Sequence, residues 1–245
     1  MLCKLIMPFE SSRGLHYNFY ASSLMQGVMM EKISTSYAKK MHEDGLRPYS
    51  QFCTFENGRN LWTISTLDQE AAENIILPLS ELRTAEIRYK KDTITFSEPI
   101  MEKLTYHQLL EENAVNDAGT EKITLNIITP TAFKSSGNYV ILPTLRLIFQ
   151  NLSKRFDCFY GISENDYEEL AAEVEKNIRI TDYSLSGTDF ALEGVRIPSF
   201  TGNITFSVKG SRDLRSYIRM LCRFSEFSGL GIKTAIGMGQ IRAEM

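Results

Sequence analysis

The order of hydrophobic periodicities is the strongest constraint on what this chain folds into. A strand-like run over residues 2–9 precedes a segment with Tyr17, Tyr20, Ala21, Leu24 and Val28 at i, i+3, i+4, i+7 and i+11, the spacing of a helix face. A short second helix is expected around residues 35–42. Residues 49–66 contain two β-like runs split by Glu56-Asn57-Gly58, a hairpin signal. Asp68 stands as an N-cap before a helix through Ala71, Ala72 and Ile75, and further strand-like runs follow at 85–89 and 93–96. After a polar stretch, 111–121, the grammar restarts. A strand at 123–128 leads to a helix with Pro143 near its first turn and Leu145, Ile148, Phe149, Leu152 and Phe156 on its apolar face. An acidic helix at 164–176 reads as an insertion. Strands at 178–185 and 195–209, a last helix over 211–227 and a closing strand at 236–243 complete the order. The expected fold is α+β: two tandem ferredoxin-like (RRM-like, βαββαβ) domains, residues 1–115 and 121–245.

A chain of 245 residues suits two small domains, and 43% hydrophobic residues suffice for two cores, which excludes a disordered chain. No apolar stretch approaches the ~18–20 residues of a membrane span. The N-terminus meets Pro8 and Glu10 before a signal-peptide core develops, so a cytoplasmic protein without membrane partners is expected. Cys3, Cys53, Cys158 and Cys222 lie far apart with no C-x-x-C spacing, which argues against a zinc module or a disulfide framework.

The formal net charge of −3 conceals an uneven distribution. From Arg196 onward there are eight basic and three acidic residues, a net +5, so the preceding chain carries −8. In the last helix Arg212, Arg215, Arg219 and Arg223 fall at i, i+3, i+7 and i+11 and share about 80° of the circumference. Guanidinium groups bind phosphate oxygens in pairs, so this stripe is a candidate RNA contact; a solvated helix face is the plainer alternative. The segment that follows contains Gly229, Gly231, Lys233, Thr234, Gly237 and Gly239. Glycines let backbone amides approach a phosphate, and Lys233 and Thr234 add donors. The segment fits neither a Walker loop nor a dinucleotide fingerprint, because it follows a helix instead of opening one.

That G-x-G-x-K-T-x-x-G-M-G segment before the closing strand resembles the glycine-rich loop of the CRISPR-associated repeat-RNA endoribonucleases of the RAMP superfamily. Further motifs add to the resemblance across most of the chain: His42-Glu43 followed by Arg47-Pro48-Tyr49-Ser50, Thr129-Pro130-Thr131-Ala132-Phe133-Lys134, and Ile197-Pro198-Ser199-Phe200-Thr201-Gly202. Their style is that of the branch serving type III effector systems. The resemblance implies metal-independent cleavage of CRISPR precursor RNA within its repeats, to a 2′,3′-cyclic phosphate and a 5′-OH, with no cofactor. It implies CRISPR repeat RNA as partner, type III effector subunits beside it, and a monomer or homodimer. The alternative is a non-catalytic RAMP-type subunit that holds guide RNA in a CRISPR effector complex.

Such chemistry takes a proton from a 2′-OH, gives one to a 5′-oxygen and stabilises the charge on phosphorus. His42 matches the family's catalytic histidine, although a histidine ending a helix is also favoured by the dipole alone. Arg47 matches a basic residue that follows it and is expected to stabilise the developing charge. Lys39 and Lys40 are candidate phosphate contacts. Where many members carry Tyr or His on the first helix, this chain reads Gln26-Gly27-Val28-Met29-Met30, none of which exchanges a proton at neutral pH. Tyr37 and His16 are the substitutes considered. His107, Phe133, Trp62 and the methionines Met25, Met29 and Met30 read as structural.

Overall fold

The computed structural model describes residues 1–41, 45–115, 119–161, 167–192 and 194–245. They form two compact units: Met1–Leu104 with Lys233–Gly237, and Thr105–Ile232 with Met238–Met245. The division follows the last strand of the first sheet, ahead of the polar stretch at 111–121.

The first unit runs β1 (Leu2–Ser11), α1 (Ser22–Lys32), α2 (Thr35–Lys40), β2 (Tyr49–Glu56) and β3 (Arg59–Thr66). Next come α3 (Gln69–Ala71), a π-turn (Ala72–Ile76) and α4 (Leu77–Ser80), then β4 (Thr84–Ile87), β5 (Asp92–Phe96) and β6 (Ile100–Leu104). The sheet order is β2-β3-β1-β5-β4, with β6 pairing the first half of β1. Asn57 and Gly58 turn the β2–β3 hairpin with φ of 51° and 77°, the doubly left-handed turn whose twist matches its strands. Asp68 caps α3 by accepting from the Ala71 amide at 2.7 Å. The π-turn follows from Pro78: it has no N–H for the carbonyl one turn earlier, so the ladder widens ahead of it. One face of β1 (Leu5, Met7, Phe9) packs with Met25, Val28 and Met29 of α1, Trp62 and Ile64 of β3, and Ile75 and Leu79.

In the second unit α5 (Tyr106–Glu112) leads to β7 (Glu121–Thr131), the small hairpin β8 (Phe133–Ser135) and β9 (Asn138–Val140), then α6 (Leu145–Tyr160) and α7 (Tyr167–Asn177). β10 (Ile178–Leu192), β11 (Val195–Val208), α8 (Arg212–Ser228) and β12 (Ile241–Glu244) complete it. The sheet order β10-β11-β7-β12 is again the ferredoxin-like arrangement, with all pairings antiparallel. Pro143 sits one position before the N-cap, which is Thr144, and not inside the first turn. β10 runs to Leu192, beyond the expected 185, because β11 pairs with it along its whole length where the sequence is too polar to alternate. No helix among the described residues is long and apolar enough to cross a membrane.

Candidate functional site

Strand β2 is the outermost strand of the first sheet and organises the candidate site. At its start Tyr49 is fully buried, and its phenol oxygen accepts a 2.9 Å hydrogen bond from Gln26 Nε2 of α1. Burial pushes this phenol above its ordinary pKa, while the Gln26 bond and the charge of Arg47 pull it partly back. Arg47 is half-buried next to this pair. Gln26, at the position where the resemblance implies a titratable group, instead contributes a fixed amide. His42 lies outside the described residues; the preceding residue, Met41, ends α2 in the core, with its amide bonded to the Tyr37 carbonyl at 3.0 Å.

Tyr37 requires a correction. It is only 5% exposed and packs in the core of the first unit, because α2 turns that face inward. Desolvation, followed by the charges of Asp68 and Glu70, raises its pKa, so the phenol stays protonated and is a poor acid. Lys40 forms an exposed ion pair with Glu70 at 2.6 Å, whereas Lys39 projects into solvent. His16, in the loop after β1, is placed at the other end of β2, beside Phe55. Six residues of strand separate Tyr49 from Phe55, roughly 20 Å. His16 therefore does not serve the Arg47 end.

The glycine-rich segment is shared between the units. Lys233–Gly237 belongs to the first, where Gln51 of β2 holds it. The Gln51 amide donates to the carbonyls of Ser22 (2.9 Å) and Ala235 (3.0 Å), and accepts from the Trp62 indole at 2.9 Å. Lys233 is exposed and held left-handed at φ 55°, an uncommon conformation for a lysine. In the second unit, Gly231 N donates to Asn151 Oδ1 at 2.9 Å, Ile232 N to the Ala132 carbonyl at 3.0 Å and Gly239 N to the Pro130 carbonyl at 3.0 Å. Buried Arg155 donates to the carbonyls of Ser228 and Gly231 at 2.9 and 3.1 Å, and desolvation lowers its pKa to about 10. The amides of Gly229, Gly231 and Gly239 are thus spent within the protein, which corrects their expected role as phosphate donors. At Gly231, a Cβ would stand 2.3 Å from the Ala132 carbonyl oxygen, so this glycine permits close backbone packing. The 129–134 motif consequently acts as the anchor of the glycine segment. Phe133 is buried against Phe200 of the 197–202 motif, with centroids 6.3 Å apart.

The arginine stripe of α8 also requires correction. Arg215 is 2% exposed and lies 3.6 Å from Glu121, which also accepts from Arg219 at 2.8 Å. Arg223 pairs with Glu226, and Arg212 Nε donates to the Val115 carbonyl at 2.6 Å. Val115, Gly119 and the first residue of β7, Glu121, meet the face that the helical wheel assigns to solvent, and they bury Arg215 most deeply. A phosphate would have to displace Glu121 to reach Arg215. Arg215→Met is expected to destabilise the unit by about 3 kcal/mol, because it leaves Glu121 short of a buried counter-charge. Urea unfolding measures this loss, and RNA binding by the same variant should keep the parent's salt slope. A flattened slope with undiminished stability would restore Arg215 to the RNA surface.

Comparison with known proteins bears directly on this arrangement. The family model for the CRISPR-associated endoribonuclease Cas6 matches residues 125–241. A Mycobacterium tuberculosis protein named CRISPR-associated endoribonuclease Cas6 is 35% identical over 229 residues, covering 90% of this chain and 70% of its own. The chain belongs to the Cas6 family. A Streptococcus thermophilus Cas6 is 30% identical over 220 residues, covering 89% of each chain. Among solved structures, a Cas6 product complex superposes with a TM-score of 0.81 at 21% identity over 100% of both chains. A Thermus thermophilus Cas6 gives 0.73 at 23% identity, covering 100% of this chain and 98% of its own. These likenesses establish two tandem ferredoxin-like domains and an endoribonuclease. Sequence reasoning missed Gln51, Asn151 and Arg155, which anchor the Cas6 glycine segment. The available signal was a buried-pattern tryptophan, Trp62, whose N–H needs an acceptor.

Proposed function

We propose that this chain cleaves CRISPR precursor RNA within its repeats without a metal ion. The 2′-oxygen upstream of the scissile bond attacks phosphorus and the bond to the 5′-oxygen breaks. A 2′,3′-cyclic phosphate and a 5′-OH result. His42 exchanges the protons, and the Arg47 guanidinium offsets the added charge on phosphorus. Gln26 and Tyr49 fix the surroundings of Arg47 without titrating near neutrality. Lys39 and Lys233, both exposed, contact RNA phosphates, and Thr234 and Gly237 shape the loop that carries Lys233. In this reading the chain works in the cytoplasm as a monomer or homodimer and hands its product to type III effector subunits. The observation that carries it is the 35% identity to a CRISPR-associated endoribonuclease across 90% of this chain.

The test uses the chain's own repeat RNA in EDTA, beside a copy with one deoxyribose upstream of the scissile bond. The first is expected to be cut and the second to remain intact, because only the first has the attacking oxygen. Cleavage of the deoxy copy, or a requirement for magnesium, overturns the mechanism. Tight binding of the first copy without any cleavage favours the non-catalytic guide-RNA subunit.

A further inference from the structure

At the end of β2 remote from Arg47, the loop after β1 lays the His16 ring on Phe55, with centroids 3.8 Å apart and planes 15° apart. His16 is exposed and Phe55 is 38% exposed. The two rings wall an open pocket of about 300 Å³ that is also lined by Glu10, Gly14, Arg59 and Asn60.

The loop is held far more firmly than an exposed ring requires. Asn60 accepts from the Tyr17 amide at 2.7 Å and donates to the Leu15 carbonyl at 3.0 Å, bracketing His16 on both sides. Ser11 Oγ accepts from the Leu15 amide at 2.9 Å. The hydroxyls of Ser11, Ser12 and Tyr17 all donate to Asp92, at 2.7, 2.9 and 2.7 Å. Inside this network His16 and Arg59 stand apart: among the described residues, neither side chain makes a hydrogen bond or ion pair. A preorganised, exposed aromatic face beside an uncommitted guanidinium is the chemistry that receives an unpaired nucleotide, base on ring and phosphate on cation.

Tyr49, Gln51 and Cys53 of β2 are buried, so the strand spaces the neighbouring groups along its length without itself carrying RNA. Tyr49, Gln51, Cys53 and Phe55 alternate onto one face of β2. The Arg47–Tyr49 end, the Lys233–Gly237 segment on Gln51 and the His16–Phe55 pair therefore lie in succession along one edge strand. We propose that His16, Phe55 and Arg59 form a second RNA subsite, which stacks one unpaired nucleotide of the bound RNA roughly 20 Å from the Arg47 end, about six stacked nucleotides away. The subsite rests on the RNA-cleaving reading above.

The experiment uses repeat RNA made uncleavable by the upstream deoxyribose and shortened one nucleotide at a time from either end. Dissociation constants are measured at fixed salt. With the parent chain, affinity is expected to fall on the order of 10-fold at the single truncation that removes the stacked nucleotide. His16→Ala combined with Phe55→Ala should bind full-length RNA about 10-fold more weakly and show no such step. His16→Phe, which keeps a stacking ring, should retain it. Arg59→Ala should flatten the salt dependence with full-length RNA. A step that survives in the double variant, or equal affinity of double variant and parent for full-length RNA, overturns the subsite. Failure of the parent to bind any RNA of the series overturns the RNA-cleaving reading itself.

Discussion

His42→Ala is expected to lower the single-turnover cleavage rate at least 10²-fold, the lower bound for losing one positioned proton-transfer group. The expectation of a large loss comes from the other proton-transfer candidates among the described residues. Gln26 has no proton to exchange, and burial keeps Tyr37 and Tyr49 protonated near neutrality. His16 sits at the far end of the strand. Among the described residues none of these candidates offers a second proton-transfer group, so under the proposed mechanism the residual rate rests on Arg47 and on geometry imposed on the bound RNA. RNA affinity should change by less than about 2-fold, because phosphate contacts dominate binding. The measurement is single-turnover cleavage with enzyme in excess, paired with a filter-binding isotherm. Parent-like cleavage would remove His42 from the reaction.

Gly237→Ala is expected to unseat the glycine segment. At φ 108° a side chain is already strained, and an added Cβ would lie 2.4 Å from Ser22 Cβ, 2.5 Å from its Oγ and 3.0 Å from the Phe19 carbonyl oxygen. Ser22 has no room to yield: its hydroxyl accepts from the Cys53 amide at 3.0 Å and its carbonyl accepts from Gln51 at 2.9 Å. The Lys233–Gly237 segment must move instead, taking Lys233 with it. The expected cost is about 2–4 kcal/mol in urea unfolding, with a parallel loss of RNA affinity. Gly27→Ala supplies the contrast, since a Cβ there meets nothing within 4 Å on an ordinary helical backbone. It should stabilise by about 0.5–1 kcal/mol. Equal stability of the two variants would mean that the contact with Ser22 does not hold the segment.

Local patterns carried much of the fold. The Asn57-Gly58 turn, the Asp68 cap and the alternation of β1 are properties of neighbouring residues, and each forms where the sequence places it. The errors share one physical origin. Helical spacing correctly put Arg212, Arg215, Arg219 and Arg223 on one face, but spacing cannot reveal that Glu121, 98 residues from Arg219, covers it. Tyr37 stands among polar neighbours as a substitute acid/base candidate, yet α2 turns it into the core. Gln51 looks like an ordinary polar strand residue until three partners from distant segments converge on its amide. Where a residue's role depends on what comes back to meet it, composition and period are silent. They are equally silent on the link by which Tyr49 accepts from Gln26 and feels the charge of Arg47.

The membership of Lys233–Gly237 in the first unit has a consequence for biosynthesis. A ribosome releases Met1–Leu104 long before it reaches the five residues that complete that unit. At roughly 5–20 residues per second, the interval is on the order of ten seconds. During it, Gln51 has Ser22 and Trp62 as partners but not the Ala235 carbonyl, and the surface around Ser22 stays open. A nascent or prematurely terminated chain therefore lacks the lysine-bearing segment of its amino-terminal unit. A product that stops before Lys233 keeps the His16, Phe55 and Arg59 cluster but lacks that proposed phosphate contact.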